Sequence, residues 1–189
     1  LEEIIKEEKP TIIALVETGL EEKETVEFDG YKNLPKNKTA EGEGRGILIA
    51  VKEELINIAT VVKELEKPGE QLWITISNGR SNVRIGMVYA PQESKTLKEN
   101  LKPMYQQIEE QIELGNINDQ QVMVIGDLNA KVGEVIKGNK KQVTKGGRLL
   151  LDTAKKFDLE IVNATEKCSG LWTREENEKR SVLDYVLVN

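Results

Sequence analysis

The sequence predicts a mixed α/β domain, with sheets of mixed strand direction and helices packed outside them. Three observations lead there. Short apolar runs outnumber amphipathic helical stretches, several neighbouring runs are spaced like hairpins, and only two segments in the second half carry a long apolar helical face. At 189 residues the chain is long enough for one domain with a sizeable core and short for two.

In chain order, residues 1 to 9 carry Leu1, Ile4, Ile5 and Glu8 at helical spacing, and Pro10 stops them. Thr11 to Val16 suits a buried strand. Phe28 to Leu34 is a short aromatic stretch broken by Gly30 and Pro35, and residues 36 to 46, rich in Gly and charge, read as a surface loop. Ile47 to Val51 is a strand, with Lys52 to Leu55 as a helical turn after it. Residues 56 to 65 are β-rich and are closed by Lys67-Pro68-Gly69. Gln71 to Ile76 and Val83 to Tyr89 meet through Ser77-Asn78-Gly79-Arg80, a strong hairpin signal because Asn-Gly tolerates positive φ. Residues 94 to 114 are expected to form the longest helix. Leu97, Leu101, Met104, Tyr105, Ile108 and Ile112 form its apolar face, Pro103 marks a kink or a late start, and Gly115 stands as the cap. Val122 to Ile125 is a buried strand that Gly126 is expected to end. A second amphipathic helix follows at 147 to 157, then strands at Leu159 to Val162 and Ser181 to Val188.

Composition removes several chemistries. There is no histidine and one cysteine, Cys168, so an internal disulfide is excluded and a zinc site has no ordinary ligand set. A metal would be held by oxygen, as Mg²⁺, Mn²⁺ or Ca²⁺ are. The net charge of −6 argues against nonspecific phosphate binding by the whole surface and leaves room for a local basic patch. No apolar run approaches a membrane span, and the acidic first residues differ from a signal peptide. Because it begins with Leu and not Met, the chain is expected to be an excerpt of a longer one.

Three carboxylates stand where charge is costly. Glu17 closes the run Thr11 to Val16, Asp127 closes Val122 to Ile125, and Asp184 interrupts Val182 to Val188, sharing a face with Val182, Val186 and Val188 by strand alternation. Each has a plain structural alternative: a solvated strand end for Glu17, an Asp turn for Asp127, a wet edge strand for Asp184. Asn129 follows Asp127 by two positions, which in extended backbone places both on one face with Leu128 turned to the core. Tyr89 ends a strand whose Val83, Ile85 and Met87 share its face. Alone, Asn129 is a turn residue and Tyr89 a core aromatic. Together, three acids, an amide and a phenol at strand ends describe a pocket suited to a divalent cation and a phosphoryl group.

Five segments in order resemble the endonuclease/exonuclease/phosphatase superfamily, which includes DNase I-like nucleases. They are Ala14-Leu15-Val16-Glu17-Thr18-Gly19-Leu20, Val88-Tyr89-Ala90-Pro91, Gly126-Asp127-Leu128-Asn129, Leu171-Trp172-Thr173 and Ser181-Val182-Leu183-Asp184-Tyr185-Val186-Leu187. Val-Tyr-Ala-Pro-Gln and Gly-Asp-Leu-Asn-Ala-Lys-Val-Gly look most like the endonuclease domains of non-LTR retrotransposons and similar craniofacial-development-protein-like sequences. The resemblance implies a two-sheet α/β sandwich with helices on its outer faces, truncated at both ends, with residues 1 to 189 as one domain lacking its first and last strands. It implies that Glu17 binds Mg²⁺ (or Mn²⁺), that Asp127 orients or activates water, and that Asn129 and Tyr89 contact the scissile phosphate. Asp184 would pair with a histidine of a later Ser-Asp-His motif, which these residues lack, so weak activity is expected of the fragment. The activity implied is DNA nicking by a monomeric domain of a retrotransposon polyprotein, with a reverse transcriptase domain as partner and an intracellular, nuclear location. An inositol-phosphate or lipid phosphatase and a catalytically decayed binding module are the alternatives.

Overall fold

The fold is described from a computed structural model, which describes residues 1–38, 44–62, 70–92, 98–136, 142–170, 172–176 and 179–189. Parts of several sequence expectations lie outside these residues: the centre of the 36–46 loop, residues 63 to 65 with Lys67-Pro68-Gly69, the helix start including Leu97, and Leu171.

The chain opens with α1 (Glu2–Glu8), which ends on Lys9 in the left-handed region ahead of Pro10. Next come β1 (Ile12–Val16), β2 (Tyr31–Lys36) and β3 (Ile47–Lys52), which form a three-stranded antiparallel sheet in the order β1-β3-β2. Pro35, expected to break the chain, sits within β2. An edge strand tolerates it, because the missing N–H is not needed on the unpaired side.

The larger sheet has six strands in the order β4-β5-β6-β7-β11-β8: β4 (Ala59–Val61), β5 (Glu70–Ser77), β6 (Asn82–Tyr89), β7 (Gln121–Asp127), β8 (Glu160–Ile161) and β11 (Asp184–Val188). β5 and β6 are the expected hairpin, with Asn78 Oδ1 accepting the N–H groups of Arg80 and Ser81. β6 and β7 run parallel, and the crossover between them is α2 (Lys98–Ile117). α3 (Lys145–Lys156) starts at Thr144, whose hydroxyl accepts the Gly147 N–H at 3.1 Å.

Alternation distributes these strands between two apolar layers. Ile47, Ile49 and Val51 of β3 pack against Leu72, Ile74, Ile85 and Met87 of β5 and β6, filling the space between the sheets. On the other face, Trp73, Val88, Val122, Val124, Tyr185 and Leu187 pack against Leu101, Met104, Tyr105, Ile108 and Ile112 of α2 and Leu150 and Ala154 of α3. Ile5 of α1 covers Ile13, Leu48 and Ala50 on the outer face of the small sheet. The two sheets thus face each other with helices outside.

Three local expectations are corrected. Gly115 is no cap, because α2 continues to Ile117; a Cβ at Gly115 would lie 2.5 Å from Val122 Cγ2, so the glycine lets the helix approach β7. Gly126 does not end its strand, since β7 runs on to Asp127. The last expected strand is split. Lys179–Ser181 forms β10, a two-stranded hairpin with β9 (Arg174–Glu176), and β11 begins only at Asp184. Val182 accordingly belongs to the helix-side layer, not to the face of Asp184.

Candidate active site

Register alone assembles most of the site. Glu70 is the cross-strand partner of Tyr89, and Asp127 is the partner of Asp184. The parallel pair places Met87 beside Ile125, so Tyr89 and Asp127, each two residues on, stand at the same level. Glu70, Tyr89, Asp127 and Asp184 therefore form one row across β5, β6, β7 and β11, all on the face that looks into the space between the sheets. Glu17 reaches the row from the opposite sheet. The Tyr89 hydroxyl donates to Glu17 Oε1 at 2.7 Å, across 72 residues of sequence.

The backbone at Asp127 is built for close approach. Gly126 has φ +138°, and a Cβ there would lie 2.0 Å from Val88 O. The glycine thereby lets β7 press against β6, and the Ala90 N–H donates to Asp127 O at 2.7 Å. Beyond Asp127 the chain turns. Asn129 has φ +43°, its N–H donates to Asp127 Oδ1 at 2.8 Å, and its Nδ2 donates to Ala90 O at 2.7 Å. The expected juxtaposition of Asp127 and Asn129 is present, but an Asx turn produces it, not extended alternation. Leu128 is buried, as expected. Tyr185 sits behind this turn with its hydroxyl between Ala130 O at 2.8 Å and Val182 O at 3.1 Å, tying the loop after β7 to the entry of β11.

Asp184 is positioned by two side chains from outside its strand. Thr173 Oγ1 accepts the N–H groups of Leu183 and Asp184 at 3.0 and 3.2 Å. Asn163 donates to Asp184 O at 3.2 Å and accepts from Val186 N at 2.9 Å. β8 is only two residues long, so Asn163 supplies β11 with pairing that β8 does not reach.

Burial shapes the electrostatics first, and like charge adds to it. Asp127 is pushed up to about 6, chiefly by burial, and further by the charges of Asp184 and Glu17; the Asn129 N–H and Arg174 pull the other way. Burial and the carboxylate of Glu17 push Tyr89 up to about 12, so its hydroxyl stays a donor through the neutral range. Glu70 is also raised by burial, against the Gly46 N–H and the charges of Lys36 and Arg45. Neither Glu70 oxygen is exposed, and neither has a hydrogen bond of good geometry.

The structure brings together all five residues singled out from sequence, namely Glu17, Tyr89, Asp127, Asn129 and Asp184. They form a row, not a cage: among the described residues no three His, Cys, Asp or Glu side chains are grouped closely enough to hold a metal ion. Sequence reading missed Glu70 and Arg45. Glu70 had a signal, since it shares strand parity with Leu72, Ile74 and Ile76, the same argument that exposed Asp184. Arg45 had none, because only the sheet pairing brings residue 45 beside residue 18.

No known family model matches the sequence, and no curated protein matches it either. Solved structures do match. An AP endonuclease of Leishmania major superposes with a TM-score of 0.76 at 14% identity, over 99% of this chain and 72% of that one. An AP endonuclease of Archaeoglobus fulgidus gives 0.68 at 18% identity over 100% and 79%. The endonuclease domain of TRAS1, a telomere-specific non-LTR retrotransposon, gives 0.67 at 16% identity over 98% and 75%. The chain thus has the same fold as these endonucleases.

Proposed function

We propose that this chain is a Mg²⁺-dependent phosphodiesterase domain that nicks DNA, as part of a non-LTR retrotransposon polyprotein acting in the nucleus. The observation that carries this reading is Asp127: a half-buried carboxyl pushed up to about 6 and hydrogen-bonded to Asn129, within one acidic row on a DNase I-like fold. A base with that affinity takes a proton from water efficiently near neutral pH. Tyr89 and the Asn129 amide are donors that can face phosphate oxygens. The two sequence variants noted above support the retrotransposon setting; the likeness to the TRAS1 domain is of the same order as that to the AP endonucleases and does not choose between them.

The donor set suits a hard cation. It is all oxygen, and the mutual repulsion of Glu17, Asp127 and Asp184 is what a divalent ion would relieve. Glu17, exposed at the end of β1, would hold Mg²⁺ or Mn²⁺ with water completing the shell. When bound, the ion supplies charge stabilisation for the phosphoryl group. Asp127 holds the attacking water and takes its proton. Asp184, its backbone held by Thr173 and Asn163, adds a smaller upward push to the burial that raises the proton affinity of Asp127.

Supercoiled plasmid incubated with the protein and Mg²⁺ should relax, and Asp127→Ala should reduce the rate roughly 100-fold or more. Nicking that survives this substitution refutes the site. Cutting confined to abasic DNA would replace the retrotransposon reading with one of repair.

A further inference from the structure

Arg45 lies in a turn built to tight tolerances. It is flanked by Gly44 at φ +92° and Gly46 at φ +84°. A Cβ on Gly46 would lie 2.3 Å from Thr18 Oγ1, and one on Gly44 would lie 2.7 Å from Glu70 Oε1. The turn is therefore wedged between the segment that carries Glu17 and the first residue of β5. Two backbone bonds pin it: Thr18 N donates to Gly46 O at 3.1 Å, and Gly19 N donates to Arg45 O at 2.9 Å. The β1–β3 ladder ends at Val16 and Ile47 and Glu17 turns at φ +52°; these two bonds hold Arg45 beside the segment that follows Glu17.

The side chain contrasts with its mounting. Arg45 is exposed, forms no ion pair among the described residues, and its charge is felt by both Tyr89 and Glu70. A plain solvated arginine needs no such seat, since a flexible loop would serve it equally well. A guanidinium on a turn seated this closely, at the rim of an acidic row, can meet a phosphate with two parallel N–H donors.

We propose that Arg45 is a substrate-gripping residue that binds a phosphodiester oxygen at the Tyr89 side of the row. This rests on the phosphodiesterase reading above and names a contact that reading does not contain. The acidic row repels a polyanion, and a fixed cation at its edge offsets that repulsion where the backbone must enter. The competing role is purely internal, with Arg45 serving only to balance Glu70.

Binding and cleavage separate these possibilities. Fluorescence anisotropy of a labelled DNA duplex, read across a salt series in EDTA, should show Arg45→Gln weakening affinity roughly 10- to 100-fold. It should also shallow the slope of log K against log salt by about one phosphate. Arg45→Lys should restore the slope and only part of the affinity, because charge returns without the planar fork. Arg80→Gln makes the same charge change in the turn at the far end of β5 and β6, and should leave both quantities unchanged. An Arg45→Gln protein with wild-type affinity and slope overturns the proposal. So does a loss shared equally by Arg80→Gln, a loss of thermal stability with the slope unchanged, or wild-type protein that does not bind duplex. Intact binding without plasmid nicking would sink the catalytic reading alone.

Discussion

The two ends of the six-stranded sheet are both polar, and they treat polarity in opposite ways. At the end away from the acids, Arg84 is buried, and its guanidinium donates to Gln120 Oε1 at 2.8 Å and Gln111 Oε1 at 2.6 Å. Gln120 donates onward to Asn82 Oδ1 at 3.0 Å, and Asn82 to Asn118 O at 3.2 Å. Asn189 accepts from Val122 N at 2.7 Å and donates to Asn116 Oδ1 at 3.1 Å. In this network amides act as donors and acceptors at once, and burial lowers the proton affinity of the one cation. At the other end, Glu70, Asp127, Asp184 and Glu17 stack acceptor upon acceptor. Three proton affinities rise there, those of Glu70, Tyr89 and Asp127, and neither Thr18 Oγ1 nor the two Glu70 oxygens have a hydrogen bond of good geometry. The amide end is complete within the protein. At the acid end Arg174, Lys36 and Arg45 offset part of the negative charge, and the proton affinities of the acids still rise.

The contrast can be broken most severely at Gly126. Gly126→Ala puts a methyl group into the Val88 carbonyl and forces the β6–β7 pair apart. The expected cost is about 3 kcal/mol or more, a fall of roughly 6–12 °C in melting temperature, with nicking lost as Tyr89 and Asp127 leave one level. A variant that melts with the wild type would show that the acid end does not depend on that close approach.

A smaller effect is expected at the amide end. Arg84→Met strands the acceptors of Gln111 and Gln120 and should cost about 1–3 kcal/mol in chemical denaturation, while nicking per folded molecule stays unchanged. A specific loss of activity without destabilisation would erase the distinction drawn between the ends.

The smallest effect, and the sharpest in sign, belongs to Asp127. Its folded carboxyl binds a proton more tightly than its ordinary value of 3.8 allows, holding it up to about 6. Its contribution to stability is therefore full below about pH 4 and is lost as pH rises through about 6. Asp127→Asn carries no charge to bury, so in metal-free buffer it should melt roughly 1–3 °C above wild type at pH 7.5 and level with it at pH 4. Equal melting at both values, or the opposite order, would mean that neither burial nor neighbouring charge penalises the Asp127 carboxylate.

Much of this was legible in the residues themselves. Apolar runs closed by Glu17, Tyr89 and Asp127, and interrupted by Asp184, mark strand ends, because an acid or phenol adjoining a buried run is costly unless it reaches an edge. Asn-Gly at the β5–β6 turn and the apolar face of α2 likewise follow from local chemistry. Other features were not local. Gly115 and Gly126 read as punctuation, yet they are sites of close approach whose neighbours, Val122 across a helix and Val88 across a strand, are fixed only by packing. The hairpin that separates Val182 from Asp184 interrupts what reads as one continuous strand.

Sequence by itself determined most of the strands of the two sheets and which side chains stand at their ends, since alternation and solvation cost act over a few residues. Only the tertiary structure decided that Glu70, Tyr89, Asp127 and Asp184 share one level and that Glu17 and Arg45 face them from the other sheet. The physical reason is register: it is set by interdigitation of the two apolar layers, and no short stretch of chain contains both sides of that contact.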